Sequence, residues 1–176
     1  MIKTTSAFLL LLLCHRVGLA EPAYIVPLQA DWQVRPILTV CESALNDYAM
    51  VGAPDGLGAY PNPDGSLTVL MNHEIGRDKG RVRAHEQKGA FVSHWVIDVE
   101  SLQVVQGEDL VQSKIALDAT LPFHKLCSAD LAPTSAFFDD YSGKGFPGQL
   151  FLNGEEDKAG GRAFAHGLDG ISYELR

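Results

Sequence analysis

The sequence predicts an all-β chain made of antiparallel meanders, arranged as part of a β-propeller, with a β-sandwich as the alternative architecture. Short alternating runs are separated by Gly, Pro, Asn and Asp, and no long helical period interrupts them. Hairpin-like units recur at roughly 40 to 50 residues, a spacing that suits propeller blades. A propeller needs at least four blades of about 40 residues, and this chain offers enough for about three. The expectation is therefore the N-terminal part of a longer propeller, with an unpaired sheet edge near Arg176.

The elements follow in order. Residues 24–27 and 35–40 read as edge strands, with Pro27 and Pro36 limiting their pairing. A short helix is expected around residues 42–48. Residues 57–60 and 67–71 flank Asn62-Pro63-Asp64-Gly65, a turn sequence, and so form a hairpin. A second hairpin joins residues 91–99 to 102–106 through Glu100-Ser101. Residues 136–138, 149–152, 162–166 and 171–175 complete the expected strands.

Residues 1–20 stand outside that fold. Lys3 precedes an apolar run too short to cross a bilayer, and Gly18-Leu19-Ala20 places small residues before Glu21. This is the layout of a signal peptide cleaved after Ala20, which makes the protein exported, periplasmic or extracellular. Cleavage leaves 176 − 20 = 156 residues and removes two cations, Lys3 and Arg16, so the formal charge moves from −8 to −10. An acidic chain without a Lys/Arg stripe argues against nucleic-acid binding and against anionic membrane surfaces. Cys41 and Cys127 survive cleavage. An oxidising compartment permits a disulfide between them, while Cys127 is alternatively a thiolate ligand for a transition metal.

Several catalytic signatures fail on spacing. His73-Glu74 and His85-Glu86 each lack the second histidine of a zincin helix. With Gly65 as the glycine at position 6 of an EF-hand loop, Met71 falls where the loop needs an acid. Ser142-Gly143-Lys144-Gly145 lacks P-loop spacing, and there is no G-x-S-x-G elbow. What remains is a set of oxygen donors delivered at two strand ends, Asn72-His73-Glu74 and Asn153-Gly154-Glu155-Glu156-Asp157. Glu74, Glu155 and Glu156 are hard donors suited to Ca²⁺, and Asn72 and Asn153 add carbonyl oxygens. Strand alternation sends Glu155 and Glu156 to opposite sides. His73 is a transition-metal ligand, an acid/base, or a hydrogen-bonded histidine at a strand end. Arg77, Arg81 and Arg83 are cations suited to an anionic substrate, or simply solvated loop residues.

The order of Asp55-Gly56-Leu57, Asn72-His73-Glu74, Gly89-Ala90-Phe91-Val92-Ser93 and Asn153-Gly154-Glu155-Glu156 resembles the PhoX-type alkaline phosphatases. The resemblance implies an exported β-propeller over residues 21–176 and beyond, hydrolysing small phosphate monoesters with calcium and iron. It implies Glu74 and one of Glu155 or Glu156 as metal ligands, and Cys127 as an iron-ligating thiolate. Two features depart from the family. Cys127 lies in Leu126-Cys127-Ser128-Ala129-Asp130, farther from the acidic pair than the family's cysteine. The Trp-rich segment before that pair is replaced by Phe146-Pro147-Gly148-Gln149-Leu150-Phe151-Leu152. The competing functions are a non-catalytic secreted propeller with structural calcium and a calcium-dependent lactonase-like hydrolase.

Overall fold

Eleven strands organise residues 22–158 and 160–176, which the computed structural model describes. The first four are β1 (Pro54–Pro61), β2 (Leu67–His73), β3 (Phe91–Asp98) and β4 (Gln103–Asp109). They pair in chain order as an antiparallel meander. The turn into β2 forms as its residues dictate: Gly65 takes φ +87°, and the Asp64 carboxylate accepts the Ser66 N–H at 2.9 Å. Asp98 does the same for Ser101 at 2.7 Å between β3 and β4.

The second sheet gathers β5 (Ser113–Ile115), β6 (Leu126–Ala132), β9 (Leu150–Glu155), β10 (Ala163–Gly167) and β11 (Ile171–Leu175) in the order β5-β11-β10-β9-β6. Its β6, β9, β10 and β11 repeat the meander, and β5 joins β11 in parallel. A small hairpin of β7 (Phe138–Asp139) and β8 (Lys144–Gly145) follows a single 3-10 turn, Thr134–Ala136. The chain is all-β in two open sheets, one antiparallel and one mixed. Among the described residues there is no α-helix, and no ring of blades closes.

Alternation divides the first sheet between two cores. Leu70 and Val92 face the second sheet and join Phe123, Leu126, Phe151 and Phe164. Trp95, Ile97 and Val104 face the other way and are covered by Ala44 and Met50 of the N-terminal segment. The two sheets meet closely where β1 crosses β6. A Cβ on Gly56 would come within 2.6 Å of Ala129 Cβ and of the Cys127 carbonyl, so only glycine admits the approach.

Five expectations change. Residues 24–27 and 35–40 form no strand, because each run carries a proline that removes a ladder donor. Residues 42–48 form a turn closed by a Ser43–Ala49 bridge, with Asp47 at φ +63°, where a helix cannot continue. Only Phe138 of residues 136–138 enters a strand, the preceding residues being taken up by the 3-10 turn. The β11 edge near Arg176 is covered by β5, through Ile171, Ser172 and Tyr173. Cys127 keeps a free thiol, so it makes no disulfide with Cys41. The expected signal peptide and its cleavage point lie outside the described residues. Among those residues, no helix is long and apolar enough to cross a membrane.

Candidate functional site

β2 and β9 are the second strands of their meanders, and both end on the same side of the molecule. Asn72 and Asn153 occupy matching places near those ends, and the Asn153 amide donates to Asn72 Oδ1 at 3.1 Å. Asn72 Nδ2 in turn donates to the carbonyls of Ser128 at 3.1 Å and Cys127 at 3.4 Å. This buried amide ladder ties β2, β6 and β9 into one register. The side chain of Asn72 is consumed by it.

Beyond the ladder, three segments lace into a platform. Lys125 N–H donates to the Ile75 carbonyl at 3.0 Å, and Glu156 N–H to the Lys125 carbonyl at 2.9 Å. Arg77 N–H donates to His124 Nδ1 at 3.3 Å, and His124 N–H to Glu155 Oε1 at 2.9 Å. The platform brings Glu74 and Glu156 to one ammonium: Lys125 Nζ lies 3.4 Å from Glu74 Oε1 and 3.7 Å from Glu156 Oε2. Its hydrogen bond to Glu74, reinforced by the charge of both carboxylates, raises the Lys125 pKa above the usual lysine value.

Cys127 adjoins the same group. The Asp55 carboxylate beside it pushes its thiol up, and Glu74 and Glu156 add to that effect. The structure therefore brings together Glu74, Glu156 and Cys127, with Asp55 and Lys125 as members that sequence reasoning missed. Lys125 carries no motif, and its φ of +41° is a product of the three-segment junction. Arg77 stands at the rim, its guanidinium 3.1 Å from Asp157.

Three of the expected ligands lie outside this cluster. Glu155 is fully buried and saturated by Arg162, with Nη2 at 2.6 Å from Oε1 and Nε at 2.9 Å from Oε2. Its carboxylate fastens β9 to the turn before β10. Asn72 belongs to the amide ladder. His73 faces the opposite side of the first sheet, stacked 4.2 Å from Phe91.

The His73 ring completes a chain of bonds. Its Nδ1 faces the Gly52 carbonyl at 3.2 Å, which requires a proton on that nitrogen. Nε2 therefore accepts from Ser93 Oγ at 2.8 Å, and Ser93 Oγ accepts from Trp95 Nε1 at 2.6 Å. Burial is the main cause that lowers the His73 pKa to about 4 and keeps this ring neutral. Sealed in this way, the Ser93–His73 pair has no route to a substrate.

No known protein family, curated protein or solved structure matches this chain. Its function must be argued from the site. The fit to a cation is partial. Glu74, Glu156 and Asp55 are hard oxygen donors, Cys127 is a soft one, and Lys125 stands as a cation between two of the carboxylates. Among the described residues, no three His, Cys, Asp or Glu side chains close on one point as metal ligands.

Proposed function

We propose that this chain belongs to an exported, metal-dependent phosphatase of the PhoX type, acting on small phosphate monoesters. The observation that carries the reading is the pair Glu74 and Glu156, converging from two successive meanders on the Lys125 ammonium. Repetition supports it too: β2 and β9 each carry an asparagine near their end with an acid two residues on, Glu74 and Glu155, and the two asparagines are bonded to each other. Matching residues of adjacent propeller blades meet in this way around an axis.

Glu74 and Glu156 would offer carboxylates to calcium and Cys127 a thiolate to iron, an incomplete set, since no three such side chains close on one point among the described residues. Bound there, the metals would neutralise charge on phosphoryl oxygens and lower the pKa of water. The chain's own residues have separate tasks. Lys125 holds the two carboxylates in place against their mutual repulsion, Asn72 and Asn153 fix the strand ends that present them, and Arg77 offers a guanidinium to a phosphate.

Calcium titration of the purified chain by calorimetry, alongside Glu74→Gln and Glu156→Gln, tests this. Calcium binding weakened at least tenfold in both variants is expected. Equal binding in all three proteins, or none in the parent, overturns the metal reading. Calcium-dependent hydrolysis of p-nitrophenyl phosphate, lost in Glu74→Gln, distinguishes the enzyme from the non-catalytic propeller.

A further inference from the structure

A polar row crosses the apolar joint between the sheets. Ladder register sets Leu131, Phe151, His166, Ser172 and Lys114 side by side across the second sheet. Directly opposed residues share a face, so His166 and Ser172 point into the same interior as Phe151. His85, from the loop before β3, covers this row and meets the edge of the Phe123 ring at 5.0 Å. His166 meets the same ring at 5.8 Å. His166 and Ser172 are 0% exposed and His85 is 7% exposed. Both nitrogens of both imidazoles, and Ser172 Oγ, have no hydrogen-bond partner among the described residues. Buried polar atoms are nearly always paired, so five together mark a built feature.

The charges around the row decide what it does. His85 faces Lys114 of β5, Asp109 of β4 and Arg83 of its own loop; His166 faces His85. Asp109 is the only acid among them, and it is already engaged. It accepts from Arg83 Nη1 at 3.3 Å, from Ala84 N–H at 2.9 Å and from the Tyr48 hydroxyl. Lys114 donates to the Gln87 side chain and the Leu121 carbonyl while lying over Phe123. An imidazolium formed here would meet two cations and no available carboxylate.

We propose that His85 and His166 form an acid-operated release at the joint between the two sheets, neutral when the sheets are closed and protonated only when they part. Burial lowers His85 to about 4 and His166 to about 3. The closed form keeps its full advantage above the unfolded value of about 6.5. That advantage is lost as pH falls towards 4, because the open form takes up protons that the closed form refuses. Each histidine steepens the fall by up to one proton, a tenfold change in the equilibrium per pH unit. Opening exposes Phe123, Phe151 and Phe164.

Urea unfolding of the full chain between pH 7 and pH 4.5 tests this, with His85→Gln and His166→Phe beside the parent. The pH slope of the logarithm of the unfolding constant is expected to drop by about one in each variant. Acidification of the parent is expected to raise binding of an apolar dye while β-sheet circular dichroism persists. Should His166→Phe fail to fold, His85→Gln and imidazole NMR of the parent carry the test. Unchanged slopes, or a His85 or His166 ring titrating near pH 6.5 in the folded parent, overturn the proposal.

Discussion

At the residue scale, the chain divides its polar side chains between holding and offering. Glu155 and Glu156 are neighbours with opposite fates, because strand geometry turns one inward to Arg162 and the other outward to Lys125. Arg162→Met leaves the buried Glu155 carboxylate without its cation, with only the backbone N–H groups of His124 and residue 162 as donors, and should cost about 3 kcal/mol in urea unfolding. Asn72→Ala removes the acceptor of Asn153 and the donor to two carbonyls, and should cost about 2 to 3 kcal/mol in the same assay. His73→Phe keeps the stack on Phe91 but removes the ring's bonds to the Gly52 carbonyl and to Ser93, leaving Ser93 its bond from Trp95. Its cost should be greatest at pH 7. The wild-type advantage of a buried neutral ring is lost as pH falls from 6.5 towards 4, so the difference should shrink by as much as about 3 kcal/mol over that range. An equal cost at both pH values would contradict the assignment of a neutral ring.

At the element scale, the site depends on close packing between β1 and β6, which sets Asp55 beside Cys127. Gly56→Val should force the two strands apart and lower stability by about 1 to 3 kcal/mol, measured as a shift in the urea midpoint. Gly52→Ala is a control, since a methyl there meets nothing within 4 Å. The strands most legible in the sequence, β2 and β3, combine alternation with β-branched and aromatic residues and clear turn signals. β6 was not legible, because Ser128, Ala129 and Asp130 have little intrinsic preference for a strand. They are held extended by the β9 ladder and by the glycines of β1. β5 is three residues long and acquires its state wholly from β11.

At the scale of the whole molecule, one apolar cluster spans both sheets, so neither sheet keeps its inner face dry alone. At neutral pH, the fluorescence of buried Trp95, read in a Trp32→Phe background, and far-ultraviolet circular dichroism should therefore report the same urea transition. Two separated transitions would show that the sheets fold independently.

The sequence by itself determined the all-β class, the principal hairpins, and the delivery of acidic groups just past two apolar strands. These are local properties: period-two alternation, turn chemistry and the position of polar residues at strand ends are written in consecutive residues. Tertiary structure alone decided which acid was buried against Arg162, which shared Lys125, and which side of the sheet received His73. It also placed Lys125 between carboxylates and set His85 over His166. These outcomes depend on registers between strands up to 81 residues apart in sequence, as in the Asn72–Asn153 bond. The reason is geometric. A residue's partners across a sheet or between sheets are chosen by packing of the whole apolar interior, and no short window of sequence contains that choice.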